Sequence, residues 1–359
     1  MTIAASQGRS TMENPRTKPA TIADVAARAG VSVPTVSRVL TGAAKVSAGR
    51  REAVEAAIAA LDFRPSAAAR VLASRKAQVI AVIAGDTSQY GYAETIRGIE
   101  EAARAEDYTV MITVVESTDE AEIDRAIAAT LAQPLAGVCV LKFDPPGVAA
   151  LHRIPSALPV VALSGVREPG LRQAVLDEAR AAEELTDHLL DLGHATVHHV
   201  RVPPSRREDG RTTGWRRALK RRGAAMPPLA DATWDPRSGI EIGRKLADDP
   251  TVTAVFCGND EIAMGVIRGI VASGRRVPDD ISVAGFDDHP LAALWTPALT
   301  TVDQDFAGLG RRGLQLLLNE IAGETGRRFS SERPQLVVRE STAPPPPSAA
   351  MRRISSFLG

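Results

Sequence analysis

Residues 21–40 read TIADVAARAGVSVPTVSRVL, and this stretch decides how the chain begins to fold. Thr21 stands where its hydroxyl can cap the amide of Asp24. Asp24 can reach back as in a capping box and favours the positive end of the helix dipole. Ile22, Val25, Ala26 and Ala29 recur at helical spacing and make one apolar face. Gly30 supplies the left-handed position that ends such a helix. Only Val31 separates it from Ser32, the next N-cap, and Pro34 sits in the first turn of the new helix, where its missing N–H costs nothing. Val36, Val39 and Leu40 are expected to face inward. Two short helices joined by a tight glycine turn form a helix-turn-helix, whose second helix enters the DNA major groove N-terminus first. A third helix, Ser47 to about Leu61, would brace the pair through Val54, Ala57, Ile58 and Leu61. The alternative is an alanine-rich bundle with no DNA role.

Charge weighs against that alternative. The chain is 359 residues long with a formal net charge of zero, yet residues 1–76 hold 12 Lys/Arg against 5 Asp/Glu. The excess is balanced by an acidic remainder. A basic head displaces counterions from phosphate, as a nucleic-acid module must. Residues 1–19 are polar and aperiodic and are expected to be a disordered tail. Residues 343–359, APPPPSAAMRRISSFLG, are read as a second unpacked tail. No apolar run approaches the roughly 20 residues of a membrane span. The N-terminus lacks the apolar stretch of a signal peptide. Cys139 and Cys257 are isolated in apolar runs and read as core residues of a reducing compartment. The expected location is the cytoplasm.

From about Val79 the pattern changes. Apolar runs at 79–84, 109–115, 136–141, 159–163, 196–202, 253–257 and 281–286 alternate with helical stretches. Short β-rich runs alternating with helices indicate parallel sheets. There are more strands than one ordinary sheet holds, so the reading is an α/β body of two lobes.

The stretch 21–40 strongly resembles the DNA-binding headpiece of the lactose-repressor (LacI) family. The likeness continues through Lys45-Val-Ser, Phe63-Arg-Pro-Ser and Ala69-Arg-Val-Leu-Ala73 to Arg339-Glu-Ser-Thr-Ala-Pro344. It implies a helix-turn-helix DNA-binding domain at 20–65, a hinge helix and linker at 66–76, and an effector domain at 77–342. That domain would have two Rossmann-like lobes with parallel sheets, like a periplasmic binding protein. The N-lobe would span about 77–174 plus 304–332, and the C-lobe about 175–303 plus 333–342. Val33, Pro34 and Arg38 take the family's base-reading positions. Arg38 can donate two hydrogen bonds to guanine, whereas Val33 can touch only apolar surface such as a thymine methyl. Ser32, Thr35, Ser37, Lys45, Ser47 and Arg50 are placed for phosphate contacts, which fix register. Thr41 stands where the family usually has Asn. The hinge segment 66–74 is too short for a stable helix in water. It is expected to order when two copies pack on DNA, bringing Ala69 and Leu72 to the minor groove, with Leu72 as the wedge. Ser66 replaces the hinge Asn.

In the effector domain the resemblance implies a ligand cleft between the lobes at the C-terminal ends of strands. Arg211, in Gly210-Arg-Thr-Thr-Gly-Trp215, is the leading candidate, since its fork can grip two adjacent hydroxyls or a carboxylate. Trp234 would cover the ligand's apolar face. Asn259, Asp287, Gln304 and Phe306 would complete the site, with Asp86 and Arg97 near the mouth. Trp215 reads as core. Ser164 stands where several sugar-binding members carry a carboxylate.

Other function classes fit less well. Gly308-Leu-Gly-Arg-Arg-Gly313 matches the dinucleotide pattern G-x-G-x-x-G but follows a polar segment rather than an apolar strand. His194, His198 and His199 flank or lie in a strand whose successive residues face opposite sides, a poor metal site. No nucleophile, base and orienting group fall together, so neither an enzyme nor a cofactor or metal is expected. A transporter's solute-binding protein would not carry residues 20–75. The expected molecule is a homodimeric repressor of carbohydrate genes, binding a pseudo-palindromic operator and a small sugar. A purine or nucleoside effector, or a ligand acting as corepressor, remains open.

Overall fold

The computed structural model describes residues 20–40, 46–63, 77–205 and 208–347. Lys45, Ala69, Leu72 and the hinge segment 66–74 lie outside the described residues. The chain divides into two units, one up to Ala77 and one from Gln78 onward.

The first unit holds α1 (Ile22–Ala29), α2 (Val33–Leu40) and α3 (Ala48–Ala60). The capping box forms: Asp24 N–H donates to Thr21 Oγ1 (3.3 Å), and Thr21 N–H donates to Asp24 Oδ2 (2.7 Å). Gly30 adopts φ +64°, and Val31 N–H closes the turn on the Ala26 carbonyl at 3.1 Å. A side chain at that φ would be strained. Val25, Ala26, Val36, Val39, Val54, Ala57 and Phe63 form the core. Leu40 differs from expectation. It ends α2 with 37% exposure, uncovered by α1 or α3. Ser47 precedes α3 without a side-chain capping bond. Thr21→Ala is expected to cost this unit about 1 kcal/mol, read as roughly fivefold faster exchange of the Val25 and Ala26 amides.

The second unit contains two parallel sheets. The first, in the order β11-β5-β4-β3-β1-β2, comprises β1 (Val79–Ala84), β2 (Thr109–Val114), β3 (Leu135–Leu141), β4 (Val160–Ser164), β5 (Gln173–Leu176) and β11 (Phe329–Glu332). Helices cover both faces. Ile80, Val82 and Ala84 pack toward α4 (Tyr90–Ala105) and α11 (Phe306–Ile321). Ala81 and Ile83 pack toward α5 (Glu120–Leu131) and α6 (Pro145–Leu151). Burial on both sides is why VIAVIA is apolar without alternation.

The second sheet runs β7-β6-β8-β9, from β6 (His198–Arg201), β7 (Ala230–Asp231), β8 (Ala254–Cys257) and β9 (Ser282–Ala284). One face meets α7 (Glu178–Asp191) and α8 (Gly210–Arg222), and the other meets α9 (Arg237–Asp248) and α10 (Asp260–Ala272). An antiparallel pair joins β10 (Thr301–Asp303) to β12 (Gln335–Val337).

Two expectations change, and one reading is clarified. β5 pairs over its whole length with β11, through Gln173–Phe329 to Leu176–Glu332, so the first crossing between lobes follows Leu176 rather than residue 174. Ala343, expected to begin an unpacked tail, is fastened: its N–H donates to Ser282 Oγ (3.0 Å). Finally, the glycines of 308–313 sit within α11. A Cβ on Gly310 would strike the Thr95 carbonyl, and one on Gly98 would strike that of Ala307. Gly310 serves a close α4–α11 seam, and the pattern lies inside a helix rather than in a phosphate loop.

Candidate functional site

The α2 face away from the core of the first unit carries the residues suited to reading bases. Val33, Pro34 and Arg38 are exposed, while Val36 and Val39 are buried. At about 100° per residue the three span roughly 140° of the helix circumference, which leaves the opposite side to anchor it. Ser32 and Thr35 share a hydroxyl–hydroxyl bond of 2.9 Å at the helix start. Ser37 is half-buried, and Ser47 and Arg50 are exposed beside one another at the start of α3. These positions leave the outer face of α2 and the start of α3 clear of the core.

In the second unit, helix starts converge between the two sheets at the C-terminal ends of strands. Tyr90 opens α4, Glu178 opens α7, Arg211 lies in the first turn of α8, Asn259 caps α10 and Phe306 opens α11. All five line one cavity, together with Trp234, Asp287, Lys142 and Phe143. The space open to water-molecule centres is about 80 Å³, several times the roughly 10–15 Å³ that one ordered water needs.

Arg211 ties the cavity together. Its Nη2 lies 3.0 Å from Glu178 Oε1 and 3.2 Å from Asp287 Oδ1. Its Nη1 donates to the Gly258 carbonyl, and its guanidinium carbon stands 4.7 Å above the centre of the Phe286 ring. Gln304 Nε2 donates to Asp287 Oδ1 at 2.7 Å. Asp287 itself sits at φ +111°, an uncommon conformation for a residue with a Cβ. Such strain collects at functional positions. Burial pushes its carboxyl up to about 7, with Glu178 and Glu261 adding to the rise, although Arg211 and Gln304 pull it down. Asn259 Oδ1 accepts the Ile262 N–H (2.9 Å), leaving its amide nitrogen near Glu261 Oε2 at 3.4 Å. Behind this layer the buried Asp260 accepts from the Thr301 hydroxyl (2.6 Å) and the His289 N–H (2.7 Å). Burial, then Asp287, drives its carboxyl well above the usual range.

The structure brings Arg211, Trp234, Asn259, Asp287 and Phe306 into one wall. It separates others. Arg97 is half-exposed on α4, between Glu94 and Glu101 (2.6 Å to the latter), and does not line the cavity. Asp86 spends its carboxylate on the Ser88 and Gln89 amides (2.5 and 3.0 Å), fixing the turn into α4. Gln304 acts behind Asp287 rather than in the wall. Trp215 is fully buried and donates Nε1–H to the Val197 carbonyl at 2.8 Å. Sequence reasoning missed Glu178, Lys142, Tyr90 and Phe143. Lys142 and Phe143 directly follow the apolar run 136–141, and the rule that ligands gather beyond strand C-termini would have found them. Lys142 is buried in an ion pair with Glu168.

A helix-turn-helix unit joined to two parallel α/β lobes around a polar, aromatic-walled cleft defines a ligand-responsive DNA-binding regulator. Residues 21–66 match the family described as bacterial regulatory proteins, lacI family, and residues 186–342 match a periplasmic binding protein-like domain. The chain is 30% identical to the lactose operon repressor of Escherichia coli (strain K12) over 347 residues, 95% of this chain and 96% of that one. A crystal structure of the lac repressor dimer bound to operator and the anti-inducer ONPF superposes with a TM-score of 0.84 at 30% identity, over 91% of this chain and 100% of that one. A complex of the transcriptional regulator CelR with cellobiose gives a TM-score of 0.67 at 28% identity, over 90% and 99%. The chain belongs to the lacI family of bacterial regulatory proteins. It is a DNA-binding transcriptional regulator and not an enzyme. Among the described residues, no helix is long and apolar enough to cross a membrane.

Proposed function

We propose that this chain is a cytoplasmic homodimeric repressor, released from a pseudo-palindromic operator when a small sugar enters the cavity between its lobes. The observation that carries this reading is Arg211, held between Glu178 and Asp287 in a cavity walled by Trp234, Phe306 and Tyr90. Carboxylates and a guanidinium fork match the donors and acceptors of adjacent hydroxyls. The flat aromatic faces suit the apolar side of a sugar ring. Similar proteins that bind a sugar (cellobiose) and an operator support the same division of labour. Closure of the lobes would part the two copies of segment 66–76 in the dimer, withdrawing Leu72 from the minor groove. Two ligand sites coupled through a two-state element constitute allostery.

Selection of duplexes from a random library with the full chain should enrich a pseudo-palindrome, and a sugar panel should then reveal a releasing ligand. Enrichment of no sequence over random DNA would remove the DNA-reading assignment, and release by nucleosides alone would remove the sugar. On the selected duplex, Arg38→Ala is expected to cost about 1–3 kcal/mol and to relax preference at one base pair per half-site. Anisotropy titration at fixed salt measures both. A uniform loss across all sequences would instead make Arg38 a phosphate contact.

A further inference from the structure

Four carboxylates (Glu178, Asp209, Glu261 and Asp287) and two cations (Lys142 and Arg211) line the cavity. Neither cation is left over. Lys142 pairs with Glu168, outside the wall, and Arg211 is shared between Glu178 and Asp287. Asp209 is held by the Thr212 N–H (2.7 Å) and hydroxyl (3.2 Å) at the start of α8. Among the described residues Glu261 has no ion pair, only the 3.4 Å contact from Asn259 Nδ2. Gln304, buried beside Asp287, donates its amide hydrogen there and leaves Oε1 without a donor. Among the described residues the wall therefore carries an excess of negative charge, with a spare acceptor, Gln304 Oε1, behind it.

The apolar part of the same wall is aromatic. Tyr90 and Phe306 meet edge to face with ring centres 6.0 Å apart, and Phe143 lies 6.3 Å from Phe306. Trp234 stands in the wall as well. Aromatic faces attract an ammonium within about 6 Å of the ring centre, most strongly where water is excluded. Carboxylates without a partner cation do the same at longer range. A neutral polyol would satisfy the acceptors but leave the half-buried Glu261 without a counter-charge.

We infer that the effector is a sugar bearing a protonated amine, with the ammonium beside Glu261 and Asp287 and the ring hydroxyls on Arg211 and Asn259. This rests on the sugar reading proposed above and narrows it to amino sugars. Burial, with Glu178 and Glu261 nearby, raises the Asp287 carboxyl, and a cation bound beside it would favour its ionised form.

Calorimetry on the full chain tests the inference with glucosamine, galactosamine and mannosamine, each beside its parent hexose and its N-acetyl derivative, and with a set of nucleosides. One amine is expected to bind at least about thirtyfold tighter than its two neutral partners. Glu261→Gln should erase most of that preference, lowering the affinity for the amine at least about tenfold more than that for the neutral hexose. A hexose or N-acetyl sugar that binds as tightly as the amine overturns the charge inference and leaves the sugar reading standing. Binding by nucleosides alone, or by no member of the panel, overturns both.

Discussion

Arg211→Ala is expected to keep operator binding and to abolish release by ligand, with affinity for the ligand falling at least about a hundredfold. Among the described residues Arg211 is the one side chain that pairs with both Glu178, near the end of the first sheet, and Asp287, beyond the second. A ligand that accepts from its fork would lose, on removal of the fork, two charge-assisted bonds of about 1.5–3 kcal/mol each. The same change leaves two mostly buried carboxylates without their cation. Breaking a buried pair from one side commonly costs about 3–5 kcal/mol, a loss that proton uptake by Asp287 would soften. Arg211→Lys separates the two effects. It retains the charge and the fold but cannot bind two acceptors in one plane. The lysine variant should bind the selected duplex normally and need at least about tenfold more ligand for release. Anisotropy titration of duplex with and without ligand reads both numbers. Release of the lysine variant at the ordinary ligand concentration would take Arg211 out of the site.

The fold was legible where physics acts locally. The capping box, Gly30 and Pro34 fix α1, the turn and α2 through neighbours three or four residues apart, and all three devices can be read from residues 21–34. The long apolar strands of the first sheet were equally plain, because burial on both faces leaves a run such as VIAVIA no polar member. The strands that escaped are short or polar. β7 has two residues, β11 reads FSSE, and their pairing is dictated by distant partners rather than by their own composition. The dinucleotide-like pattern at 308–313 shows the converse. Its Gly310 obeys a packing demand set by Thr95, Gly98 and Ile99, and its Gly313 one set by Leu163, all far away in sequence.

The site divides in a similar way. Arg211, Asn259 and Asp287 stand next to recognisable strand ends or helix caps, and the resemblance placed them. Arg97 misled because position along a helix does not say which way a long side chain turns. On α4 it lies within reach of Glu94 and Glu101, one turn away on either side, and these hold it outside the cavity. Glu178 was hidden for a different reason. Its importance comes from Arg211, thirty-three residues later, and no spacing within either helix reports that contact.

Asp287→Asn is expected to make the free effector unit more stable at pH 8, by up to about 4 kcal/mol, while destroying its response to ligand. The carboxyl is held at about 7 in the folded chain against 3.8 in an unpaired carboxylate, and each tenfold change in proton affinity corresponds to about 1.4 kcal/mol. The folded value is the higher one. The stabilisation associated with the neutral group is therefore fully present below pH 3.8 and is lost as pH rises through 7. At pH 8 the natural chain has lost it, whereas the amide stays neutral and can still accept from Arg211 and Gln304. The advantage of the variant should shrink steadily from pH 8 to pH 4. Asparagine also tolerates positive φ better than most residues, so the backbone at this position imposes little new strain. Urea unfolding at several pH values measures the difference. Trp215, Trp234 and Trp295 all lie after Ala77, so their fluorescence reports this unit alone. A stability difference that did not change with pH would mean that Asp287 is not held above the usual carboxylate range. A large one at pH 8 would mean that the carboxylate is kept at the expense of stability, as expected of a group retained for the ligand it meets.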